Sequence, residues 1–241
     1  MNKSLLKLSY FTNVCFEVKI FEEKFVNRFT KFVKYAILVR TKTYPERKAM
    51  KRIDLKPGTL LAPLPAVMVS VGDMEESNII TVAWTGILSS DPARAYISVR
   101  PSRHSHKFLK ENGEFVINLT TEALAKAADY VGIYTGAKVD KFEKCKLTKC
   151  ESKCVKAPTI EESPISLECR VFEVIESGTH DIFLADIVNV SCREELMDDK
   201  GKICLEKAKL ITYSHGEYYA LGRRIGKFGF SAAKKKKQPK K

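Results

Sequence analysis

The segment 78–118 constrains the fold more than any other part of the chain, because it contains two strand-like runs close together. Ile79–Trp84 and Tyr96–Val99 are short and rich in β-branched and aromatic residues, which pack well on a pleated sheet. Gly86 and the run Ser89–Pro92 lie between them and are typical of a turn. The segment therefore predicts two β-strands joined by a turn.

A short helix is predicted after the second strand. Phe108–Glu111 has a helical pattern, and Asn112–Gly113 is a stop signal, because glycine accepts the left-handed conformation in which helices end. Ser102 or Ser105 is the predicted N-cap, since a serine hydroxyl accepts a hydrogen bond from the first helical N–H groups.

The start of this helix is a candidate anion site. Helix N-termini expose unpaired N–H groups and the positive end of the helix dipole. Arg100 and Arg103 precede the helix, and their guanidinium groups, with the hydroxyls of Ser102 and Ser105, suit a phosphate monoester. The alternative is a solvated basic loop before an ordinary helix, and spacing alone favours that alternative.

The charge of the chain is concentrated at its ends. The formal net charge is +13, of which residues 1–49 carry +7 and residues 232–241 carry +6, so residues 50–231 are neutral. A nucleic-acid-binding domain carries its charge as a patch on the fold, and we expect no nucleic-acid partner. Residues 232–241 are interpreted as a disordered basic tail.

Residues 1–49 form a separate extension in this interpretation. Phenylalanines recur at helical spacing and predict an amphipathic helix, at Phe21, Phe25, Phe29 and Phe32. A membrane-surface helix is one interpretation. The preferred one is an extension outside the working protein, with Met50 as the natural start. No apolar run approaches the length that crosses a bilayer, and we expect no stable membrane association.

Cysteine usage indicates a reducing environment. The chain has seven cysteines, an odd number, which predicts a cytoplasmic protein with free thiols. Cys145, Cys150 and Cys154 have the spacing C-x4-C-x3-C, which differs from that of zinc ribbons and ferredoxins. We therefore predict no metal site and interpret these residues as incidental thiols in an exposed lysine-rich loop.

The rest of the chain predicts further strands and one more helix. The helix is predicted over Thr121–Tyr130, with Leu124, Ala128 and Val131 on one face. The predicted strands are Ala66–Val71, Leu167–Ile175, Asp181–Val190 and Lys209–Tyr213. Tyr218–Ser231 is predicted to be irregular.

Between Met50 and Ser231 the chain resembles the flavin reductase-like, flavoredoxin-type family of FMN-binding split barrels. The similar segments are Pro63–Pro65, Asn78–Trp84, Asp91–Pro92, Ser98–Ser105, Gly113–Asn118, Gly178–Asp186, Tyr218–Gly222 and Gly229–Ser231. Their order and spacing are more specific than any one of them. The resemblance implies a mainly β fold, a six-stranded antiparallel Greek-key split barrel with peripheral helices over residues 50–231. It also implies a homodimer with FMN at the subunit interface, to which residues 218–231 contribute.

The resemblance also implies where FMN lies. Its phosphate is expected on Arg100, Arg103 and Ser105, and its ring along Thr81–Thr85. The predicted cofactor-binding residues are Asn78, Thr81, Val82, Ala83, Trp84, Thr85, Ser98, Val99, Arg100, Arg103, Ser105 and His106. His180, in a Gly-x-His-x-x-Phe pattern, is the candidate catalytic residue. A turn histidine bonded to backbone is an equal alternative for His180, and a core residue is an equal alternative for Trp84.

The predicted chemistry is that of a cofactor. The sequence contains no catalytic triad order, P-loop or G-x-G-x-x-G fingerprint, so the hard chemistry is expected to be carried by FMN. The leading hypothesis is a flavin reductase that moves a hydride from NAD(P)H to flavin. The alternatives are a flavoredoxin-type electron carrier with protein redox partners and a non-catalytic flavin-binding module. The sequence does not distinguish NADH from NADPH or identify the terminal acceptor.

Overall fold

A computed structural model describes residues 50–232 in full and the backbone of three earlier segments, 5–8, 14–27 and 30–43. The chain divides into two compact units, Met1–Gly58 and Thr59–Lys241. Of the predicted basic tail, only Ala232 is among the described residues, so that prediction lies outside them.

The first unit contains an antiparallel β-sheet. Its strands, in the order β1-β2-β3, are β1 (Leu5–Leu8), β2 (Val14–Asn27) and β3 (Thr30–Thr43). The amphipathic helix predicted from four phenylalanines is wrong, and Phe29 lies outside the described residues. The sequence also contains a period-2 alternation, with Phe16, Val18 and Ile20 between charged residues, and that period matches the observed strand.

The second unit is built on a seven-stranded antiparallel sheet. Its strands are β5 (Val67–Gly72), β6 (Ser77–Val82), β7 (Thr85–Ser90), β8 (Ala93–Val99), β9 (Glu114–Asn118), β12 (Ile165–Ser177) and β13 (His180–Cys192). Their order across the sheet is β6-β5-β9-β12-β13-β8-β7. The predicted mainly β, antiparallel class is confirmed, although the main sheet has seven strands where six were expected.

The two edge strands of this sheet are neighbours in sequence. Only Ala83 and Trp84 lie between the end of β6 and the start of β7. The sheet must therefore curl until its edges approach each other, which is the geometry of a barrel that is open on one side. The Ser98 N–H donates to the Trp84 carbonyl at 2.9 Å and anchors this linker to β8.

Smaller elements surround the sheet. The short strands are β4 (Leu64–Pro65), β10 (Lys149–Cys150), β11 (Thr159–Ile160), β14 (Ile211–Ser214) and β15 (Glu217–Ala220). The helices are α1 (Ser105–Asn112), α2 (Ala125–Ile133) and α3 (Lys141–Cys145), with 3₁₀ turns at Glu122–Leu124, Glu194–Leu196, Leu205–Ala208 and Phe230–Ala232. No helix among the described residues is long and apolar enough to span a membrane.

Strand β5 lies in the middle of the core. All six of its residues are buried, as its continuous apolar sequence predicts. Val67, Val69 and Val71 pack inside the curled sheet with Phe115 and Phe183. Met68 packs on the outer side against helix α2, whose predicted apolar face is buried there.

The segment after Trp84 is a strand where a turn was predicted. Thr85–Ser90 pairs with β8, and the turn is confined to Asp91–Pro92. Gly86 leaves room for packing, because a Cβ there would lie 3.0 Å from the Tyr96 ring, which is a tight contact. A glycine that makes room for a ring has the same sequence signature as one that makes a turn.

Two further local predictions are corrected by the structure. The N-cap of α1 is His104 without a side-chain cap bond, so neither Ser102 nor Ser105 caps the helix. The segment predicted to be irregular begins with the strand β15, which forms a hairpin with β14. The turn of this hairpin is His215–Gly216, and both residues have positive φ, as two-residue hairpin turns require.

Candidate functional site

A cavity of about 520 Å³ opens where the two edges of the main sheet approach each other. Its walls come from the end of β6, the end of β8, helix α2, the β12–β13 turn and the β14–β15 hairpin. The lining residues are Ala66, Ile80, Thr81, Val82, Ala83, Trp84, Ser98, Val99, Arg100, Arg103, Asp129, Gly132, Ile133, His180, Tyr213, Gly216 and Tyr218. The cavity therefore gathers residues from almost the full length of the second unit.

The end of β6 contributes Ile80, Thr81 and Val82 to one wall of the cavity. The Thr81 hydroxyl donates to the Ala128 carbonyl of α2, and this bond holds the strand end against the helix. Because β6 is an edge strand, the backbone groups on its outer side have no strand partner in the main sheet. Such groups can pair with the polar edge of a planar ligand.

Trp84 and His180 form the aromatic end of the cavity. Their ring centroids are 4.6 Å apart with the planes tilted by 39°. His180 Nδ1 lies 2.9 Å from the Thr179 hydroxyl, which sets the orientation of the imidazole. Burial, followed by the charges of Arg100 and Arg103, lowers the pKa of His180 below its usual value, so the imidazole is neutral at neutral pH.

Trp84 is not a core residue. The side chain is 38% exposed, and it lies at the mouth of the cavity between the two sheet edges. A large aromatic ring that remains partly exposed beside a cavity is available to pack against a ligand.

The basic end of the cavity lies close to His180, because Val99, directly before Arg100, pairs with Asp181. Arg100 follows β8 directly, and a turn in which the Arg103 N–H donates to the Arg100 carbonyl at 3.0 Å brings the second arginine to the same wall. Within residues 50–232 neither arginine forms an ion pair with a carboxylate. Two guanidinium groups without an anionic partner in the described part of the chain fit the phosphate monoester predicted for this position.

A second cavity of about 60 Å³ continues from this basic end, and Ile80, Arg103 and Gly132 line both. The other lining residues are Asn78, Ser102, His104, Ser105, Val131, Tyr134, Thr135, Gly136 and Lys141. Asn78 Nδ2 donates to the Ser105 hydroxyl at 2.8 Å and leaves that hydroxyl a proton to donate onward.

Gly136 sets the size of the small cavity. A Cβ at this position would lie 2.2 Å from Asn78 Oδ1, which is far inside contact distance. Only glycine allows the chain after α2 to approach Asn78 this closely, and that approach closes the wall opposite Ser105.

The structure brings most of the predicted cofactor residues together. Thr81, Val82, Ala83, Trp84, Ser98, Val99, Arg100, Arg103 and His180 line the large cavity, and Asn78, Arg103 and Ser105 line the small one. Two predicted residues line neither cavity. The Thr85 hydroxyl donates to the Tyr96 carbonyl at 2.6 Å, and His106 Nε2 lies 2.7 Å from Asp181 Oδ2, so both point into the protein.

Several lining residues were not found from the sequence. Asp129 on α2 and Tyr218 on β15 face each other across the cavity wall, where burial and the Asp129 carboxylate raise the pKa of Tyr218 to about 12. Tyr218 also packs edge-on against Tyr213, with ring centroids 5.4 Å apart. Lys141 is not among the predicted site residues, and no local pattern indicates that its side chain turns inward.

The three spaced cysteines line neither cavity, and the exposed loop predicted for them is wrong, because Cys145 lies on α3 and Cys150 on β10. Cys145, Cys150 and Cys154 are half-buried free thiols, and burial raises the pKa of Cys145 and Cys150 above the usual range. Within the described residues there is no group of three or more His, Cys, Asp or Glu side chains that could hold a metal ion.

Known proteins share both the sequence pattern and the fold. Residues 60–222 match the family described as "Flavin reductase like domain". An uncharacterized protein of Archaeoglobus fulgidus is 38% identical over 143 residues, which cover 59% of this chain and 80% of that protein. Flavoredoxin of Desulfovibrio vulgaris (Miyazaki F) superposes with a TM-score of 0.71 at 30% identity and covers 76% of this chain and 100% of its own.

A second flavoredoxin, from Methanosarcina acetivorans, has a TM-score of 0.70 at 24% identity over 76% of this chain and 100% of its own, and it supports the fold alone. The family match covers more than half of this chain and includes both sheet edges, the arginines and the histidine around which the cavity is built. The chain therefore belongs to the flavin reductase-like family of flavin oxidoreductases, and its fold is the split barrel of that family.

Proposed function

We propose that this chain binds FMN in the two joined cavities and acts as an NAD(P)H-dependent flavin reductase. The single observation that carries the proposal is that the cavities combine two guanidinium groups without a carboxylate partner in residues 50–232, Arg100 and Arg103, with the aromatic rings of Trp84 and His180. A ligand with a planar ring and a terminal phosphate requires both features. Bound FMN would supply the redox chemistry, by accepting two electrons and a proton as hydride equivalent and passing them on.

The residues of the chain have binding and tuning roles in this proposal. Arg100, Arg103 and Ser105 hold the phosphate through charge-assisted hydrogen bonds. The backbone of Val82–Trp84 pairs with the polar edge of the ring. His180 is neutral at neutral pH, so it contacts the ring region without adding a full charge there. No side chain is required as a general acid or base, because the work of the protein is placement.

The apolar surface supports a homodimer. Ile87 and Leu88 on β7 and Phe172 and Ile175 on β12 are exposed, with 42–65% of each residue accessible in the single chain. Large exposed apolar groups on one sheet are typical of a protein interface. We expect a dimer by light scattering, and a monomer at working concentrations would contradict this part of the proposal.

The cytoplasmic location stays a prediction from cysteine usage.

The second candidate function is that of a flavoredoxin-type electron carrier. The 30% identity to flavoredoxin over the whole of that protein favours it. A carrier would hold FMN in the same cavities but exchange electrons with a protein partner and not with a nicotinamide.

One anaerobic experiment distinguishes the two functions. Purified protein loaded with FMN is mixed with NADH, with NADPH and with a reduced ferredoxin, and the loss of flavin absorbance is followed. Bleaching by a nicotinamide at a rate well above that of free FMN supports the reductase. Bleaching by the reduced protein alone selects the carrier, and failure to retain any flavin contradicts both functions.

A further inference from the structure

Lys141 is a buried cation with an unusual set of partners. It is the first residue of α3, directly after the helix cap Asp140, and its side chain turns inward and is 4% exposed. The ammonium Nζ donates to the Ile79 carbonyl of β6 and to the Val131 carbonyl of α2, each at 2.8 Å. These two bonds hold the charge at the point where strand, helix and small cavity meet.

The ammonium has no anionic partner in the described part of the chain. No carboxylate oxygen of residues 50–232 lies within 4.0 Å of Nζ, and two of its three N–H groups are used by carbonyls. Burial of a charge is costly unless the charge is paired and fully hydrogen-bonded. Lys141 lines the small cavity together with Arg103 and Ser105, so the space beside it is the place where an anion would be stabilised.

We propose that Lys141 is the buried counter-charge of the flavin phosphate and that it makes binding of FMN, but not of riboflavin, dependent on proton uptake. The inference rests on the proposed function and extends it to a residue outside the predicted phosphate set. In this arrangement Lys141 contacts the phosphate from the wall of the small cavity. Arg100 and Arg103 contact it from the loop that precedes α1.

The proton linkage follows from the surroundings of the ammonium. Burial, followed by the charge of Arg103, lowers the pKa of Lys141 to about 8. The charged and titratable groups that face it are Arg103 and His104 from the loop before α1 and Cys145 from α3, whereas β6 and α2 contact it through backbone carbonyls.

A bound phosphate dianion favours the charged ammonium and raises its pKa again. Above pH 8 the free protein has a neutral Lys141, so binding must take up a proton. The affinity for FMN should therefore fall as pH rises through this range, by about tenfold per pH unit at most, because one proton is linked. Riboflavin, which lacks the phosphate, should show no such fall.

The test compares Lys141→Met with Lys144→Met, a matched control on the exposed side of the same helix. FMN and riboflavin are titrated by fluorescence quenching at about pH 7 and about pH 9, on either side of the lowered pKa. At the lower pH we expect Lys141→Met to weaken FMN binding by about ten- to a hundredfold, since one charge-assisted bond is lost. Riboflavin binding should change little, and Lys144→Met should behave as wild type.

A second measurement uses the wild type alone. The lysine side-chain NMR signal that shifts or broadens on FMN binding, but not on riboflavin binding, should titrate near the lowered pKa in the free protein. With FMN bound, the titration should move upward.

Three outcomes separate the inference from the function on which it rests. Equal losses of FMN and riboflavin in Lys141→Met would indicate a structural role and overturn the inference alone. An FMN affinity of the wild type that does not change between the two pH values would also overturn it alone. Absence of binding for both flavins in the wild type would overturn the proposed function and the inference together.

Discussion

The two ends of the site differ in how their residues are held. At the basic end, Ser105 and Lys141 are buried and fixed by hydrogen bonds from or to other elements, at 2.8 Å in each case, whereas Arg100 and Arg103 are exposed. At the aromatic end, Trp84 is 38% exposed and packs against the tilted ring of His180. The comparison indicates that only the buried part of the basic end is held in place before a charged group binds.

This difference assigns separate tasks to the two ends. A buried and hydrogen-bonded cation such as Lys141 contributes affinity and selectivity, because little ordering is left to be done on binding. A partly exposed aromatic pair contributes contact area and leaves room for a second planar molecule to approach. Changes at the basic end should therefore discriminate between FMN and riboflavin, and changes at the aromatic end should affect both alike.

The largest effect is expected for Arg103, which lines both cavities. Arg103→Ala should weaken FMN binding by about ten- to a hundredfold, because each bond to the charged phosphate contributes about 1.5–3 kcal/mol. Arg100→Ala should have a smaller effect, since Arg100 lines only the large cavity. Riboflavin titrated in parallel is the control, and an equal loss for the two flavins would mean that no phosphate lies here.

The second effect concerns the wall of the small cavity. Gly136→Ala places a methyl group where Asn78 Oδ1 lies 2.2 Å away, so we expect a loss of stability of about 1–3 kcal/mol from overpacking and a weaker preference for FMN. Urea unfolding measures the first and flavin titration the second. Gly222→Ala is the matched control, because nothing lies within 4 Å of its added carbon. A stable variant with unchanged preference would show that this close approach does not shape the site.

A smaller effect is expected at the aromatic end. His180→Ala removes the ring packed 4.6 Å from that of Trp84. Aromatic pairs contribute about 0.5–1.5 kcal/mol, so FMN and riboflavin should both bind about two- to tenfold more weakly. A loss confined to FMN would reverse the comparison between the two ends and place the phosphate near His180.

The smallest effect is expected away from both ends. Replacement of Cys145, Cys150 and Cys154 together by serine should leave flavin content unchanged and the melting temperature within a few degrees, since all three are half-buried at most and line neither flavin cavity. Differential scanning fluorimetry and flavin absorbance measure both quantities. Stoichiometric zinc or iron in the purified wild type would contradict the interpretation of these thiols as incidental.

Local sequence patterns were most informative where one face of an element is buried. The face formed by Leu124, Ala128 and Val131 is buried as predicted. The continuous apolar run of β5 is covered on both faces. Gly113 ends α1 with a φ of 63°, as the stop signal predicts. In each case the pattern depends on one element and its nearest covering layer, so it can be recognised from neighbouring residues in the sequence.

The patterns failed where one residue type serves two purposes. Gly86 signals a turn but makes room for a ring inside a strand. Phenylalanines four residues apart fit one face of a helix, yet β2 and β3 are strands, in which Phe25 pairs with Phe32. A serine before a helix is a typical cap, yet Ser105 is buried and accepts from Asn78.

The sequence by itself determined the mainly β class, most of the strands, the basic loop with Arg100 and Arg103 and the family to which the chain belongs. Only the tertiary structure decided that Thr85 and His106 point inward and that Lys141 lines the small cavity with Arg103 and Ser105. The physical reason is distance along the chain. Lys141 reaches the Ile79 carbonyl 62 residues away and His106 reaches Asp181 75 residues away. No periodicity records such contacts, because they exist only once the sheet has curled and its edges have met.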